Sequence, residues 1–389
     1  TARPDWEKRI VEKQSLMPCE PLFPEVARIA LKIFNELILV DVMDSPKMGE
    51  VTLPWVLDFV AAIFGAYDPV EKKRLIREFF LLISKKNTKS TIAAGIMMVA
   101  LILNDRLSAE LIILAPTKEV ADNSFNPIRD FIAADPELQE MFNVSEHTKT
   151  VTNLGTNATL KVIAAESNAA AGKKASIILI DEVWLFGKKA NAESMFREAK
   201  GGLASRPEGC VIYLSTMSDE VPCGVFKQLL DYARDVRDGV KIDKGFLPLI
   251  YEFPKWMIEA GEHLKTENFY ITNPNLGASV DVDYLISEFN KVRDAGEESL
   301  RDFLAKHLNV EIGMNLRANR WAGAEYWVQQ KHIFGLEHLI EQSELITLGI
   351  DGGGLDDLLG FAALGRLKKD PRIWWLWSRA WANKVALER

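Results

Sequence analysis

Phe79-Phe80-Leu81-Leu82-Ile83-Ser84-Lys85-Lys86-Asn87-Thr88-Lys89-Ser90-Thr91 is the stretch on which the rest of this sequence turns. Phe79 to Ile83 is a short apolar run that predicts a buried strand, and Thr91 to Leu103 predicts a buried helix. Between them lies a brief polar loop ending in Lys-Ser. Strand, tight loop, Lys-Ser, helix is the order in which backbone N–H groups and a helix N-terminus cradle phosphate. In that geometry Lys89 reaches the β/γ-phosphates and the Ser90 hydroxyl binds Mg²⁺. Ile83 and Thr88 stand where glycine usually supplies a positive φ, and a β-branched Thr at such an angle is strained. The loop alone fits an exposed basic turn capping a core helix just as well.

A second element decides between the two. Ile177-Ile178-Leu179-Ile180 is wholly apolar and ends in Asp181-Glu182. Beside a phosphate loop, Asp181 would hold the Mg²⁺ shell and Glu182 would orient or deprotonate an attacking water. By itself the pair also suits a strand that ends in solvated acids. Both features in this order select the nucleotide reading. A further strand, Gly209 to Leu214, ends in Ser215-Thr216, short hydroxyls suited to sensing the γ-phosphate.

Working outward, strands at Glu110 to Ala115, Leu160 to Ala164 and Ser176 to Ile180 alternate with helices, one of them beginning near Lys118. That alternation predicts an α/β parallel sheet wrapped on both faces. Residues 5–48 read as two or so helices interrupted by Pro18, Pro21 and Pro24. Residues 246–310 read as mostly helical, a lid. From Glu344 to Trp381 three successive strands form a meander. The expected division is an N-terminal helical segment (1–50), a P-loop ATPase domain (51–245), a helical lid (246–320), a linker (321–343) and the start of another domain (344–389).

Composition narrows the class. Net charge is -8, with 48% hydrophobic and 26% charged residues, which fits a soluble globular chain and weakens a passive DNA-coating role while leaving room for a local basic track. Cys19, Cys210 and Cys223 form no CxxC pair, so a reducing, cytoplasmic setting is expected. The longest apolar run, Ile92 to Leu103, is too short to span a bilayer. The polar start shows no signal peptide, and both termini read as trimmed. The five histidines lack metal-ligand spacing. Arg197, Lys200 and Arg206 remain open as phosphate contacts or trans-acting fingers.

Taken together, these residues resemble the large terminase family, the DNA-packaging subunits of tailed bacteriophages. The family's loop is of a Lys/Arg-Asn-Gly-Lys-Ser/Thr type without the first glycine, and here it reads Lys85-Lys86-Asn87-Thr88-Lys89-Ser90-Thr91. The resemblance places the loop's basic residue on Lys85 or Lys86. Leu53-Pro54-Trp55 resembles the adenine-side motif and puts Trp55 near the nucleotide, although the glutamine expected near Val56 is missing. Ala115-Pro116-Thr117 resembles a helicase-like segment, Ser215-Thr216 the coupling motif, and Asn273-Pro274-Asn275-Leu276-Gly277 a signature between motor and nuclease. The fold this implies is α/β: a P-loop ATPase with parallel sheet and helical lid, followed by an RNase H-like nuclease domain that is truncated in this chain.

Leu345 to Ile350 is an apolar strand ending in Asp351. An Asp on the central strand of an RNase H-like sheet is where a two-metal nuclease keeps its shared ligand, and Mg²⁺ or Mn²⁺ suits such oxygens. The family pattern adds Asp357, with Asp356 as an understudy. Read alone, the segment also fits a hairpin with a Gly-rich turn. Trp374, Trp375, Trp377 and Trp381 are expected to pack the sheet, and the chain as given is expected not to complete a nuclease centre. By resemblance the chain is an ATP-driven, Mg²⁺-dependent motor in the host cytoplasm. Its implied partners are double-stranded DNA, a portal protein, a small terminase subunit and further copies in a homo-oligomeric ring, with no membrane. Two alternatives are an ATP-binding DNA-binding or scaffolding protein with little turnover, and a helicase-like DNA remodeller.

Overall fold

Phe79 to Leu82 are all fully buried, which a strand sustains only where both faces of its sheet are covered. The computed structural model describes residues 1–165, 175–189, 191–313, 332, 334–352 and 358–382. It divides into two compact units, Thr1–Ala318 and Asn319–Arg389.

The first unit begins with helices α1 (Trp6–Val11), α2 (Pro24–Glu36), α3 (Met48–Val51) and α4 (Pro54–Phe64), then a minimal hairpin of β1 (Tyr67–Asp68) and β2 (Lys73–Arg74). Next come β3 (Glu78–Leu82), α5 (Lys89–Ile102), β4 (Glu110–Ala115), α6 (Lys118–Ala134) and α7 (Pro136–Met141). Strands β5 (Phe142–Ser145), β6 (Thr150–Asn153), β7 (Thr159–Ala164) and β8 (Ala175–Ile180) follow. After β8 the chain forms α8 (Val183–Phe186), α9 (Ala192–Gly201), β9 (Cys210–Ser215), α10 (Gly224–Arg237) and β10 (Phe246–Ile250). Helices α11 (Lys255–Glu259), α12 (Val282–Ala295) and α13 (Glu297–Leu308) come last.

The 8-stranded sheet has the order β10-β3-β9-β8-β4-β7-β6-β5. Strands β10 through β7 in that order are parallel, and β6 and β5 join antiparallel. Alternate residues of β3 face opposite sides. Phe79 and Leu81 enter one core with α5, while Phe80 and Leu82 enter the other with Phe186 of α8 and Phe226 of α10. Helix α5 is buried all round, as its uniformly apolar sequence requires. The N-terminal helices belong to the same core. Phe34 of α2 lies so close to α5 that a Cβ on Gly95 would sit 2.6 Å from its ring.

Two features differ from the expectation. Phe246-Leu247-Pro248-Leu249-Ile250 does not open a helical lid. It is the edge strand β10, in register beside β3. Pro248 is tolerated because an edge strand can leave one side of its backbone unpaired. Phe142 to Asn153 forms an antiparallel hairpin extending the far edge, which the expected alternation of parallel strands did not contain. Of the expected linker 321–343, residues 321–331 and 333 lie outside the described residues, and the remainder includes helix α14 (Leu336–Gln342).

In the second unit, β11 (Ser343–Gly352), β12 (Leu358–Leu367) and β13 (Trp374–Ala382) form the expected antiparallel meander. Trp375 stacks on Phe334 and Trp377 meets Phe361 edge-on, so these two pack as expected. Trp374 and Trp381 are partly exposed, with Arg366 and Arg379 over their rings. Among the described residues, no helix is long and apolar enough to cross a membrane.

Strand β10 is anchored to α10 by a buried ion network. Glu252 accepts from Arg237 Nη1 and Arg234 Nη2, both at 2.6 Å. Burial works to raise the Glu252 pKa, but the two guanidinium groups outweigh it and hold the carboxyl below its usual range. A depressed folded value contributes stability that is present above the unfolded pKa and lost as pH falls through the folded one. Glu252→Ala takes the shared anion from buried Arg237 and half-buried Arg234, which keep Asp238 and Glu311, and is expected to destabilise the unit by about 3 kcal/mol in urea unfolding at neutral pH. The gap from the parent chain should narrow as pH falls below the ordinary glutamate range.

Candidate nucleotide site

The parallel strands all present their carboxyl ends to one edge, where α/β sheets bind ligands. From β3 emerges the loop Ser84 to Thr88, from β9 the pair Ser215-Thr216, and from β8 the pair Asp181-Glu182. Strand β9 lies between β3 and β8, so Lys89 must reach across it to meet the acids. It does so. Lys89 Nζ donates to Glu182 Oε1 and lies 3.6 Å from Asp181 Oδ1.

Asp181 is wholly buried. Its Oδ1 accepts from the Glu182 N–H at 2.9 Å and its Oδ2 from Ser124 Oγ at 3.1 Å. Glu182 adopts φ 48°, a left-handed turn that swings its side chain off the strand, and its Oε2 accepts from Trp184 Nε1 at 2.7 Å. Burial raises the Asp181 carboxyl above its usual range despite Lys89. It works the same way on Glu182, but Lys89 and the Trp184 indole hold that carboxyl below its usual range. Lys89 is itself desolvated, and the two acids keep it firmly protonated. The expected catalytic Lys89 and Glu182 and the expected metal ligand Asp181 are therefore one buried ionic cluster. The Ser215 hydroxyl accepts from the Trp184 N–H at 3.1 Å, and the Ser215 carbonyl accepts from the Ile83 N–H at 3.0 Å. Ser215 of the expected coupling pair thus touches both sides of the site.

The loop takes an unusual form. Thr88 has φ 57°, the left-handed conformation expected at its glycine position. Ile83 needs no such angle, and the other left-handed residue is Lys86 at φ 73°. Thr88 is the N-cap of α5 but makes no side-chain capping bond, because its hydroxyl donates to the Asn87 carbonyl at 2.8 Å. The first-turn N–H groups of α5 are consequently open to an anion. Ser84 Oγ is buried and without a hydrogen-bond partner. A phosphate fits these donors, and Asp181 and Ser90 supply the hard oxygens a Mg²⁺ ion prefers. Ser90 and Thr91 are half-buried in the first turn of α5, whereas Lys85 and Lys86 are exposed.

Beside Thr88 and Thr91 opens a cavity of about 450 Å³ lined by Leu39, Met48, Leu53, Val56 and Asn275 among others. Trp55, expected on the nucleotide side, does not line it. Its indole N–H donates instead to Asn275 Oδ1 at 2.7 Å, and its ring meets Tyr251 edge-on. Lys200 pairs with Glu78 at the opposite, amino end of β3, and Arg206 bonds the Gly202 carbonyl. Neither stands at the loop. Sequence reasoning missed Ser124, Trp184 and Lys306. Lys306 lies over the Trp184 ring, 3.4 Å from Asp219.

Asp351 is exposed near the end of β11, opposite Gly360 of β12. Asp356 and Asp357 lie outside the described residues. Among the described residues no cluster of three or more His, Cys, Asp or Glu side chains is grouped to hold a metal.

Residues 54–235 match the model of the terminase large subunit ATPase domain family. Residues 54–235 are an ATPase domain of the terminase large subunit type. The HK97 bacteriophage large terminase is 18% identical over 93% of this chain and 69% of its own, with a TM-score of 0.61, so the terminase fold is shared. The large terminase of a thermophilic bacteriophage is 13% identical over 81% of this chain and 65% of its own, at a TM-score of 0.37. The Thermus phage P74-26 large terminase ATPase domain is 13% identical over 60% of this chain and 88% of its own, at 0.39. No curated protein sequence matches at a significant level. In the terminase domain the matched stretch contains the loop, both acids and Ser215-Thr216, and the Asn273 to Gly277 segment lies beyond it.

Burial lowers Lys306 to about 8 against the opposing pull of Asp219 and Glu182. An unfolded lysine keeps its proton to higher pH, so between about 8 and the ordinary lysine value of 10.5 the unfolded chain binds more protons. Stability from this group therefore rises with pH across that window and is lowest below it. Lys306→Met is expected to remove that rising limb, as measured by chemical denaturation of both chains at neutral pH and near pH 9.

Proposed function

We propose that this chain is an ATP-driven motor that moves double-stranded DNA into a viral procapsid. The observation that carries the reading is the buried cluster of Lys89, Asp181 and Glu182 beside the uncapped N-terminus of α5. In this reading the loop Ser84 to Thr91 receives the ATP phosphates, and the 450 Å³ cavity receives the base. Lys89 leaves Glu182 for the β/γ-phosphates, which frees Glu182 to orient water. Ser90 and Asp181 would hold Mg²⁺, whose positive charge would offset the negative charge gathering on the phosphate oxygens. Lys85 or Lys86, both exposed, would add a further positive charge. Ser215, bonded to Trp184 and to the loop's entry strand, would carry the loss of the γ-phosphate into the sheet.

The family supports the wider setting. ADP and ATP-γ-S complexes are described for the large terminase of the thermophilic bacteriophage, which favours ATP as the nucleotide here. A portal protein, a small terminase subunit and a ring of further copies are the partners this reading adds. The second unit would be the beginning of an RNase H-like nuclease, with Asp351 and Asp357 as Mg²⁺ or Mn²⁺ ligands.

ATP turnover with Mg²⁺, measured with and without linear double-stranded DNA, tests the motor. Glu182→Gln is expected to keep ATP binding and lose turnover by about 10²–10⁴-fold, the usual scale for a positioned base. Lys89→Ala should lose both. An ATP-binding scaffold would have little turnover for Glu182→Gln to remove, and that result would reject the motor.

A further inference from the structure

Thr88 sits in a conformation for which its side chain is poorly suited, and the loop supplies only part of what holds it there, chiefly the Thr88 hydroxyl on the Asn87 carbonyl. The rest of the grip comes from the Asn-Pro-Asn segment, far along the chain. Asn87 Nδ2 donates to Asn273 Oδ1 at 2.9 Å and to the Ser84 carbonyl at 3.1 Å, while Asn87 Oδ1 accepts from the Asn275 N–H at 3.1 Å. Asn275 Nδ2 donates to Thr88 Oγ1 at 3.2 Å. Ser279 Oγ donates to the Lys86 carbonyl at 3.2 Å and accepts from Asn275 Nδ2 at 3.0 Å. Asn275 is held in turn by the Trp55 indole. Asn87 and Asn273 are almost fully buried, so their amides have no ready water to replace a lost partner and each bond fixes geometry, whereas Asn275 also borders the cavity.

Both left-handed residues of the loop, Lys86 and Thr88, are thus gripped from outside, one at its carbonyl and one at its hydroxyl. We propose that Asn275, with Asn273 and Ser279, is a positioning residue that holds the glycine-free loop in its phosphate-receiving shape, doing by hydrogen bonds what glycine does by lacking a side chain. The kinetic part of this inference rests on the nucleotide reading above. The proposal explains why Thr88 is tolerated, and it makes the demand on Asn275 depend on Thr88.

That dependence is the test. Amide exchange of a peptide covering residues 84–91, measured without nucleotide, should speed up about tenfold in Asn275→Ala, the scale of one lost buried hydrogen bond. The ATP KM should rise by a similar factor while kcat changes less than about twofold, because the lost bond shapes the binding loop and not the acids. In a Thr88→Gly background the loop no longer needs the grip. Adding Asn275→Ala there should then move KM less than about threefold, since coupled residues are non-additive. Unchanged loop exchange in Asn275→Ala overturns the proposal. So does a double variant whose KM rises as far above Thr88→Gly as Asn275→Ala rises above the parent. Should the parent chain hydrolyse no ATP, the nucleotide reading fails, and the exchange measurement still decides the grip.

Discussion

A lysine ammonium held between two carboxylates in a dry interior is the interaction on which the rest of this unit depends. Charges of this kind are costly to bury unless they are paired with good geometry. Lys89, Asp181 and Glu182 meet only because β3 and β8 flank β9 at fixed spacing. Such spacing requires the strands to be locked in register. The locking comes from apolar residues on both faces, which is why Phe79 to Leu82 and Ile178 to Ile180 contain no polar side chain. The two cores therefore serve the charged edge as much as they serve stability. Ser124, Trp184 and the backbone of Glu182 satisfy the carboxylate oxygens that Lys89 leaves over.

What the sequence discloses of this arrangement is the part carried by neighbours in the chain. Strand β3, the loop, helix α5 and the acids after β8 are short runs whose apolar or charged character is visible at once. The left-handed turn at Thr88 follows from its place in the motif. Partners set by tertiary folding are not visible in this way. Ser124 is one serine in the middle of a helix, and Trp184 sits in the four-residue helix α8. Lys306 arrives from the end of α13. Nothing in their local sequence marks them, because their role is set by what lies opposite. The strand β10 was hidden for another reason. A proline within five apolar residues speaks against a strand unless the strand is known to be an edge, and edges are a property of the assembled sheet.

The segment Asn273 to Gly277 shows how resemblance and geometry differ as sources of meaning. As a pattern, it marked a position between two regions of the chain. In three dimensions it is a wall of the candidate nucleotide site, sharing Asn275 with the cavity, the Trp55 indole and the Thr88 hydroxyl. Trp55 likewise acts through this wall. The second unit yields less. Its meander agrees with the pattern of its strands, and Asp351 stands exposed near the end of the first of them.

Helix α13 ends in a way that reaches beyond its own packing. The last carbonyls of any helix lack partners within it. Here the Lys306 carbonyl accepts from the Lys85 N–H at 2.8 Å, and the His307 carbonyl accepts from Asn273 Nδ2 at 2.8 Å. The phosphate loop and its neighbour are thus the terminal cap of a helix more than two hundred residues away in the chain. Fraying at that helix end and loosening of the loop become a single event, since neither can open without exposing the other's unpaired groups. A pull on α13 is felt at the loop as the loss of its own hydrogen bonds.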